Sequence, residues 1–362
     1  MLRHGVRITI AALVLAALFF SFGGSSKSVA SSPAKKTYTI YLSNNFLGND
    51  WRQQMERSAK VSVRKGPLAG RVNLKIQNVE NTVQAQINSL NNIISTHPDA
   101  LLIDAGSATA LNPVIARACA QHIIVISFDQ VVTAPCAYKM ESNWDILPKV
   151  VATWAAEMIH GHGNVFIDHG LPGAPISAQI ESGYKTALSH YPGIKIIGYF
   201  NGQYAFGPEQ SGVASLLAAH PNVNAILTQG YGAGAMKALQ QAGHKLVPVV
   251  GYTYNVSMVA CATTKGASCV FGSNAPYVSS NAIRLAVNML DGKPRPNPAQ
   301  IIYSYTPYYT TNVMAISGYP HVQVQKIKIG VNTFPKLPGG LTVPFSPSWV
   351  HITPQEAAGT AP

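Results

Sequence analysis

Charge is the scarcest commodity in this chain. Only 11% of its 362 residues are charged, and just 14 are acidic, against 26 Lys and Arg. A disordered chain needs the reverse, low hydrophobicity and abundant charge, and here 47% of residues are hydrophobic. The formal net charge of +12 reflects missing acids more than gathered bases, since the longest basic grouping near a fold is the pair Arg64-Lys65. Nucleic-acid binding needs Lys and Arg concentrated on one face or stripe, so that function is excluded as a reading. Cysteine is also rare, at four residues, and no C-x-x-C or paired-histidine spacing accompanies it, which argues against zinc. His160, His162, Asp168 and His169 lie close in sequence, but glycine-flanked turn histidines commonly face solvent, and no metal is assigned. No G-x-S-x-G elbow, phosphate loop or G-x-G-x-x-G fingerprint follows a strand pattern; Gly230-Tyr231-Gly232-Ala233-Gly234 lacks the third spaced glycine. No cofactor is implied.

The only long apolar run is at the start. Arg3 and Arg7 precede an apolar stretch from Ile8 to Phe22, and Ser28-Val29-Ala30 offers small residues for cleavage. This is the layout of a secretory signal over residues 1–30, its apolar run short of the ~20 residues of a comfortable membrane span. Retention as an anchor is the alternative. Removing it leaves 23 basic and 14 acidic side chains and places the protein outside the cytoplasm. All four cysteines lie beyond it, and an even count in an exported chain reads as disulfides. Three pairings exist; the local one, Cys119 with Cys136 and Cys261 with Cys269, closes two short loops and is the expectation.

After a linker at 31–37, short β-patterned runs alternate with helical ones. Tyr38–Ser43, Val72–Val79, Ala100–Asp104 and Ile123–Ser127 read as strands, as do Asn164–Asp168, Lys195–Phe200, Ala225–Thr228 and Val247–Gly251. Val83, Ile87, Leu90 and Ile94 recur at helical spacing between them, and so do Trp144, Leu147, Val151, Trp154 and Met158. Alternation of this kind builds βαβ units with parallel sheets covered on both faces, an α/β fold. The stretches Thr96-His97-Pro98-Asp99-Ala100 and Ala219-His220-Pro221-Asn222-Val223 echo each other, each stopping a helix with His-Pro before an apolar strand. One copy per half suggests two lobes of similar topology, with strand ends facing a shared cleft. The proline-rich tail at 321–362 reads as an extension wrapped on a lobe, with Thr353 and Pro354 starting a short helix.

In a chain so poor in acids, Asp104, Asp129 and Asp168 all fall at predicted strand ends, which suggests a polar cleft. An ionised carboxylate accepts strong hydrogen bonds from the hydroxyls of a polyol, although an Asp in that place also caps helices. Asn49, Trp51 and Arg52 combine an amide, a flat aromatic ring and a guanidinium, a set suited to sugar hydroxyls and C–H faces, with helix capping and core packing as the alternatives. Asn143 stands in the same ambiguous place before the next helix. Asp104 with Asp129 as a glycosidase acid and nucleophile would make the protein a secreted carbohydrate-active hydrolase.

Taken together, Asn49-Asp50-Trp51, Ala100 to Asp104, Ile126-Ser127-Phe128-Asp129, Glu141-Ser142-Asn143, Gly183-Tyr184, His220 to Ile226 and Val249-Val250-Gly251-Tyr252 resemble, in order and spacing, the type 1 periplasmic binding proteins. The likeness is to the ribose/galactose-type sugar-binding components of ABC importers and runs over residues 38 to 305. It implies two Rossmann-like lobes joined by a three-stranded hinge, a ligand in the interlobe cleft, and a monomer that delivers a sugar, deoxysugar or polyol to a membrane permease without chemistry. Residues 38–142 with 276–303 would form the N-terminal lobe, and 143–275 with 304–320 the C-terminal lobe. A sensor ectodomain of the same fold is the further alternative. Position by position the resemblance implies ligand contacts from Asn49, Trp51, Asp129, Asn143, Tyr204 and Asn274. The family's usual arginine between Gly173 and Gly183 is absent, with Ala178 and Ile180 in that stretch; Thr253 stands where an aspartate is usual, and Gly230-Tyr231 where an amide is expected. Arg52 is expected to supply the guanidinium instead, and Tyr231 to join the site.

Overall fold

A computed structural model describes residues 36–304, 307–331 and 335–361. The signal segment inferred at 1–30 lies outside them.

The first sheet is assembled from β1 (Tyr38–Asn44), β2 (Val72–Asn78), β3 (Ala100–Asp104), β4 (Ile124–Phe128), β5 (Tyr138–Ser142) and, far later in the chain, β11 (Ile301–Ser304). Their spatial order is β11-β5-β4-β3-β1-β2, and every pairing is parallel. Ala-Leu-Leu-Ile-Asp in β3 and Ile-Val-Ile-Ser-Phe in β4 are buried at every position, as central strands covered on both faces must be. The edge strand β2 has no buried residue, and its polar positions reach solvent. Helices α1 (Asp50–Ser62), α2 (Val83–Ile94) and α3 (Asn112–Ala120) follow the first three strands in turn.

The second sheet takes β6 (His162–Asp168), β7 (Gly193–Phe200), β8 (Ala225–Leu227), β9 (Val249–Tyr252), β10 (Cys269–Gly272), β12 (Tyr308–Thr310) and β13 (Val324–Lys326), ordered β13-β12-β10-β9-β8-β6-β7. Only the β10–β12 pairing is antiparallel. Its helices are α4 (Leu147–Met158), α5 (Pro175–Leu188), α6 (Phe206–Ala219), α7 (Ala233–Gln241) and α8 (Asn255–Thr263). Helix α9 (Val278–Leu290) returns the chain to the first lobe, packing on α1, β3 and β4. The chain therefore passes between the sheets three times, after β5, after β10 and after β11. These are two Rossmann-like lobes flanked by helices.

Both His-Pro punctuations stop a helix, by different geometries. His97 enters the left-handed region at φ 47°, whereas His220 ends α6 at φ −135° and ψ 76°. Trp144 precedes α4 rather than belonging to it: its amide donates to the Ser142 carbonyl at 2.7 Å in a tight turn, and the helix starts three residues later. The tail departs from a plain surface wrap, since β13 joins the second sheet while α10 (Pro354–Ala358) lies against α1. Thr353 caps α10 reciprocally with Glu356, as the Thr-Pro-Gln-Glu sequence predicts. The disulfides are Cys119–Cys136 and Cys261–Cys269.

Candidate functional site

A cavity opens where the carboxyl ends of the strands of both sheets face each other. It holds about 540 Å³ of space free of protein atoms, its mouth included. Phe46, Trp51, Trp144, Tyr204, Tyr252 and Tyr254 supply aromatic wall, Leu171, Ile176 and Ile180 aliphatic wall. Between them stand Asn49, Arg52, Asp129, Gln130, Gln229, Asn274 and Thr342. An apolar lining with a few placed polar groups is the usual make-up of a small-molecule site.

The polar side is built on the first turn of α1. Asn49 caps that helix, its Oδ1 accepting from the Arg52 amide at 2.9 Å, and the same residue lines the cavity. The cap aims the buried Arg52 side chain at the ends of β1, β3 and β4. Its Nη1 donates to Asn44 Oδ1 at 2.7 Å and pairs with the Asp104 carboxylate, while Nη2 lies 3.8 Å from Asp129 Oδ2. The Gln130 amide oxygen also accepts from Nη2, and its nitrogen donates to the Ala105 carbonyl at 3.0 Å. Asp129 follows β4 at φ 57°, a left-handed conformation that Asp tolerates, and this turns its carboxylate toward the second lobe. There Asn274 Nδ2 donates to Asp129 Oδ1 at 2.9 Å, Asn274 Oδ1 accepts from Ser142 Oγ at 2.8 Å, and the Asn274 carbonyl accepts from Trp51 Nε1 at 2.7 Å. One residue just beyond β10, through its side-chain amide and its backbone carbonyl, thus ties three elements of the first lobe to the crossing. Burial pushes the Asp104 and Asp129 carboxyls up, and the Arg52 charge pulls both back. Glu141, on β5, has a carboxyl pushed up to about 8 by burial and by the Asp129 and Asp145 charges.

The second lobe's wall is organised by a different carboxylate. Asp168, buried at the end of β6, accepts from the amides of Gly170 and Gly202 at 2.7 Å and of Gln229 at 2.9 Å. It fixes three loops and does not line the cavity. Gln229 Nε2 donates to the Asp168 and Ser177 carbonyls at 2.9 and 3.0 Å, and the Tyr204 hydroxyl lies 2.5 Å from Ser177 Oγ.

Of the nine expected ligand residues, Asn49, Trp51, Arg52, Asp129, Tyr204 and Asn274 share the cavity wall; Asp104, Asn143 and Tyr231 do not. Asp104 sits behind Arg52, fully buried, and holds the guanidinium in place. With only one of the two strand-end acids at the wall, Asp104 and Asp129 do not flank a common reacting centre. The Asn143 backbone carbonyl accepts from the Ile146 and Leu147 amides at the start of α4, its side-chain Oδ1 has no hydrogen-bond partner among the described residues, and the tight turn brings the next residue, Trp144, to the wall. Tyr231 backs the site: its ring stacks on Tyr254 at 3.9 Å and its hydroxyl donates to Asp50 Oδ2 at 2.5 Å, a contact from one lobe to the other. The expected amide is one step earlier, at Gln229. The stretch without arginine presents Ile176 and Ile180 to the cavity. Thr253 is buried beside it, donating to the Val343 carbonyl, which no aspartate would do. Gln130, Trp144, Leu171, Gln229, Tyr254 and Thr342 are among the wall residues that the sequence did not point to; Trp144 was absorbed into a helical stripe and Thr342 lies in the tail. Among the described residues no group of three His, Cys, Asp or Glu side chains is placed to hold a metal ion, and no helix is long and apolar enough to cross a membrane.

Comparison with known proteins bears on this geometry. A family model described as a periplasmic binding protein domain matches residues 40–294. A xylitol-binding protein of Mycolicibacterium smegmatis is 24% identical over 63% of this chain and 64% of its own length. A D-ribose/D-allose-binding protein of Pseudomonas aeruginosa is 25% identical over 70% of this chain and 81% of its own. Among solved structures, an ABC transporter solute-binding protein from Thermobispora bispora superposes with a TM-score of 0.68 at 27% identity, covering 78% of this chain and 87% of that one. A Mycobacterium smegmatis protein in complex with β-D-fucofuranose superposes at 0.67 and 20% identity, over 75% and 91% of the two chains.

Proposed function

Since this chain belongs to the periplasmic binding protein domain family, we propose that it captures a sugar, deoxysugar or polyol between its lobes and hands it to an ABC importer. The observation that carries the reading is the Arg52–Asp129–Asn274 network at the wall of a cavity rich in aromatic side chains. A carboxylate and a guanidinium held by neighbours rather than by water suit the paired donors and acceptors of adjacent hydroxyls, and the rings suit C–H faces. The relatives named for xylitol and for D-ribose and D-allose support a neutral, hydroxylated ligand. With Asp104 turned to Arg52, the site lacks the paired free carboxylates of a glycosidase, so binding without turnover is the reading adopted. Two disulfides fit an oxidising compartment outside the cytoplasm, reached by the signal segment at 1–30.

Titration calorimetry with xylitol, D-ribose, D-allose and L-rhamnose tests this directly. At least one should bind with a Kd in the micromolar range or below and emerge unchanged by chromatography. Asp129→Ala should weaken that compound at least ~30-fold through loss of a charged hydrogen bond. A folded protein that binds none of the four, or that cleaves or isomerises one, would refute the proposal.

A further inference from the structure

The family match ends at residue 294, yet one residue of the cavity wall, Thr342, comes from beyond residue 335. The segment from Leu337 to Val343 lies alongside the turn after β9. The Asn255 amide donates to the Leu341 carbonyl at 2.7 Å, Val256 to Gly339 at 2.9 Å, and Val343 to Thr253 at 2.9 Å, with an antiparallel bridge between Tyr254 and Thr342. On its other side the segment is gripped by the first lobe. Gln54 of α1 reads the Thr342 backbone as a strand would, donating to its carbonyl at 2.8 Å and accepting from its amide at 2.7 Å. Farther on, Trp349 Nε1 donates to Asn281 Oδ1 at 2.8 Å, Arg57 Nε donates to the Ala357 carbonyl at 2.7 Å, and Val350, Ile352 and Ala357 share a small core with Val61. The tail therefore runs from β13 on the second sheet to α1 on the first, a fourth link between the lobes.

This double grip fixes the Thr342 backbone and leaves its side chain to the cavity. Thr342 is 1% exposed, lines the cavity, and its Oγ1 has no hydrogen-bond partner among the described residues. Trp144 Nε1, on the first crossing, is in the same condition. A hydroxyl buried without a partner is costly unless something supplies one, and a ligand hydroxyl has both a donor and an acceptor to offer.

We propose that Thr342, delivered by the C-terminal segment, hydrogen-bonds a hydroxyl of the bound sugar or polyol and so helps set which compound is accepted. The inference rests on the proposed function and adds to it a recognition residue outside the matched family domain. Alignment of relatives over the domain alone cannot reveal this contact.

The test compares wild type with Thr342→Val, which keeps the branched shape and removes the hydroxyl, and with Thr342→Ser, which keeps the hydroxyl. The titrant is whichever of xylitol, D-ribose, D-allose or L-rhamnose the wild type binds most tightly. Thr342→Val should bind it roughly 5- to 100-fold more weakly, and Thr342→Ser within about threefold of wild type. The melting temperature without ligand separates recognition from scaffolding: a methyl in place of an unpartnered hydroxyl should leave it unchanged or raise it, whereas a structural role lowers melting and binding together. Thr342→Ala, which cannot overpack, gives the same comparison if the valine variant fails to fold. Valine or alanine variants binding within twofold of wild type overturn the assignment while leaving the proposed function standing. A wild type that binds none of the four overturns the functional reading itself, and this assignment with it.

Discussion

Replacing Arg52 by methionine isolates what the guanidinium does for the fold. The side chain keeps an unbranched apolar stem and fits a buried helical site, but it leaves Asn44 Oδ1, the Asp104 carboxylate and the Asp129 carboxylate without their cation. Breaking a buried pair by removing one partner costs about 3–5 kcal/mol, because the surviving charge is stranded away from water. Two acids are stranded here, so the deficit must depend on pH. Burial already holds both carboxyls above the usual aspartate range even with Arg52 opposing it, and without Arg52 they rise further. Between the ordinary aspartate pKa and the raised one, the folded variant binds protons that the unfolded chain does not. Stability then falls as pH rises, by up to about 1.4 kcal/mol per pH unit for each acid. Urea unfolding of wild type and Arg52→Met at pH 5 and pH 8 should show a deficit of about 3–5 kcal/mol at pH 8 that shrinks by half or more at pH 5. Glu209, pushed up to about 7 by burial and the Asp168 charge, titrates in both proteins and largely cancels in the difference. Adding Asp104→Asn to Arg52→Met should recover part of the loss at pH 8. A deficit below about 1 kcal/mol, or one equal at both pH values, would show that Arg52 is not the counter-ion holding these acids.

Two further predictions concern the scaffold. With its carboxyl pushed up to about 8, Glu141 holds a proton in the folded state that it gives up in the unfolded chain above the usual glutamate range, so wild-type stability should decline from about pH 5 to pH 8. Glu141→Gln should flatten that decline by a few kcal/mol in a pH series of urea titrations, and an unchanged slope would count against it. The Cys119–Cys136 bridge spans 17 residues, for which loop closure gives about 3 kcal/mol. Cys119→Ala with Cys136→Ala should therefore lower unfolding stability by roughly 2–4 kcal/mol, and non-reducing peptide mapping of wild type should recover both local pairs and no Cys119–Cys261 peptide.

What could be read from the sequence followed how local the determining physics was. Strands β3 and β4 announce themselves because full burial demands unbroken apolar runs, and Thr353 marks α10 because a capping box is settled within four residues. Strand β5 escaped: Tyr-Lys-Met-Glu-Ser carries the charged Glu141 into the interior and leaves Lys139 half-buried, and its partners β4 and β11 are supplied from elsewhere in the chain. The same divide runs through the site. Asp129 was legible because a scarce acid at a strand end leaves few other roles, whereas Asp104, with the same signal, is claimed by an arginine one helix away. Tyr231 and Gln229 share one loop, and which of them faces the cavity depends on how that loop leaves β8 and on the bonds Asp168 makes across it. Thr342 carries no local signal, since its place is set by Gln54 and by residues 253–256.

The inward placement of acids alters how the molecule appears from a distance. Six of the fourteen acidic side chains, Glu56, Asp104, Asp129, Glu141, Asp168 and Glu209, are buried, whereas Arg52 is the one buried Lys or Arg among the described residues. The outer surface is consequently more cationic than composition alone conveys, and its far field is positive. An uncharged sugar does not feel that field, so its association rate should be indifferent to ionic strength. Anionic polymers and anionic lipid surfaces do feel it, over a Debye length of about 8 Å at physiological salt. Encounter with a neutral ligand and attraction to anionic surfaces are thereby placed under separate physical control, the first by cavity shape and the second by salt.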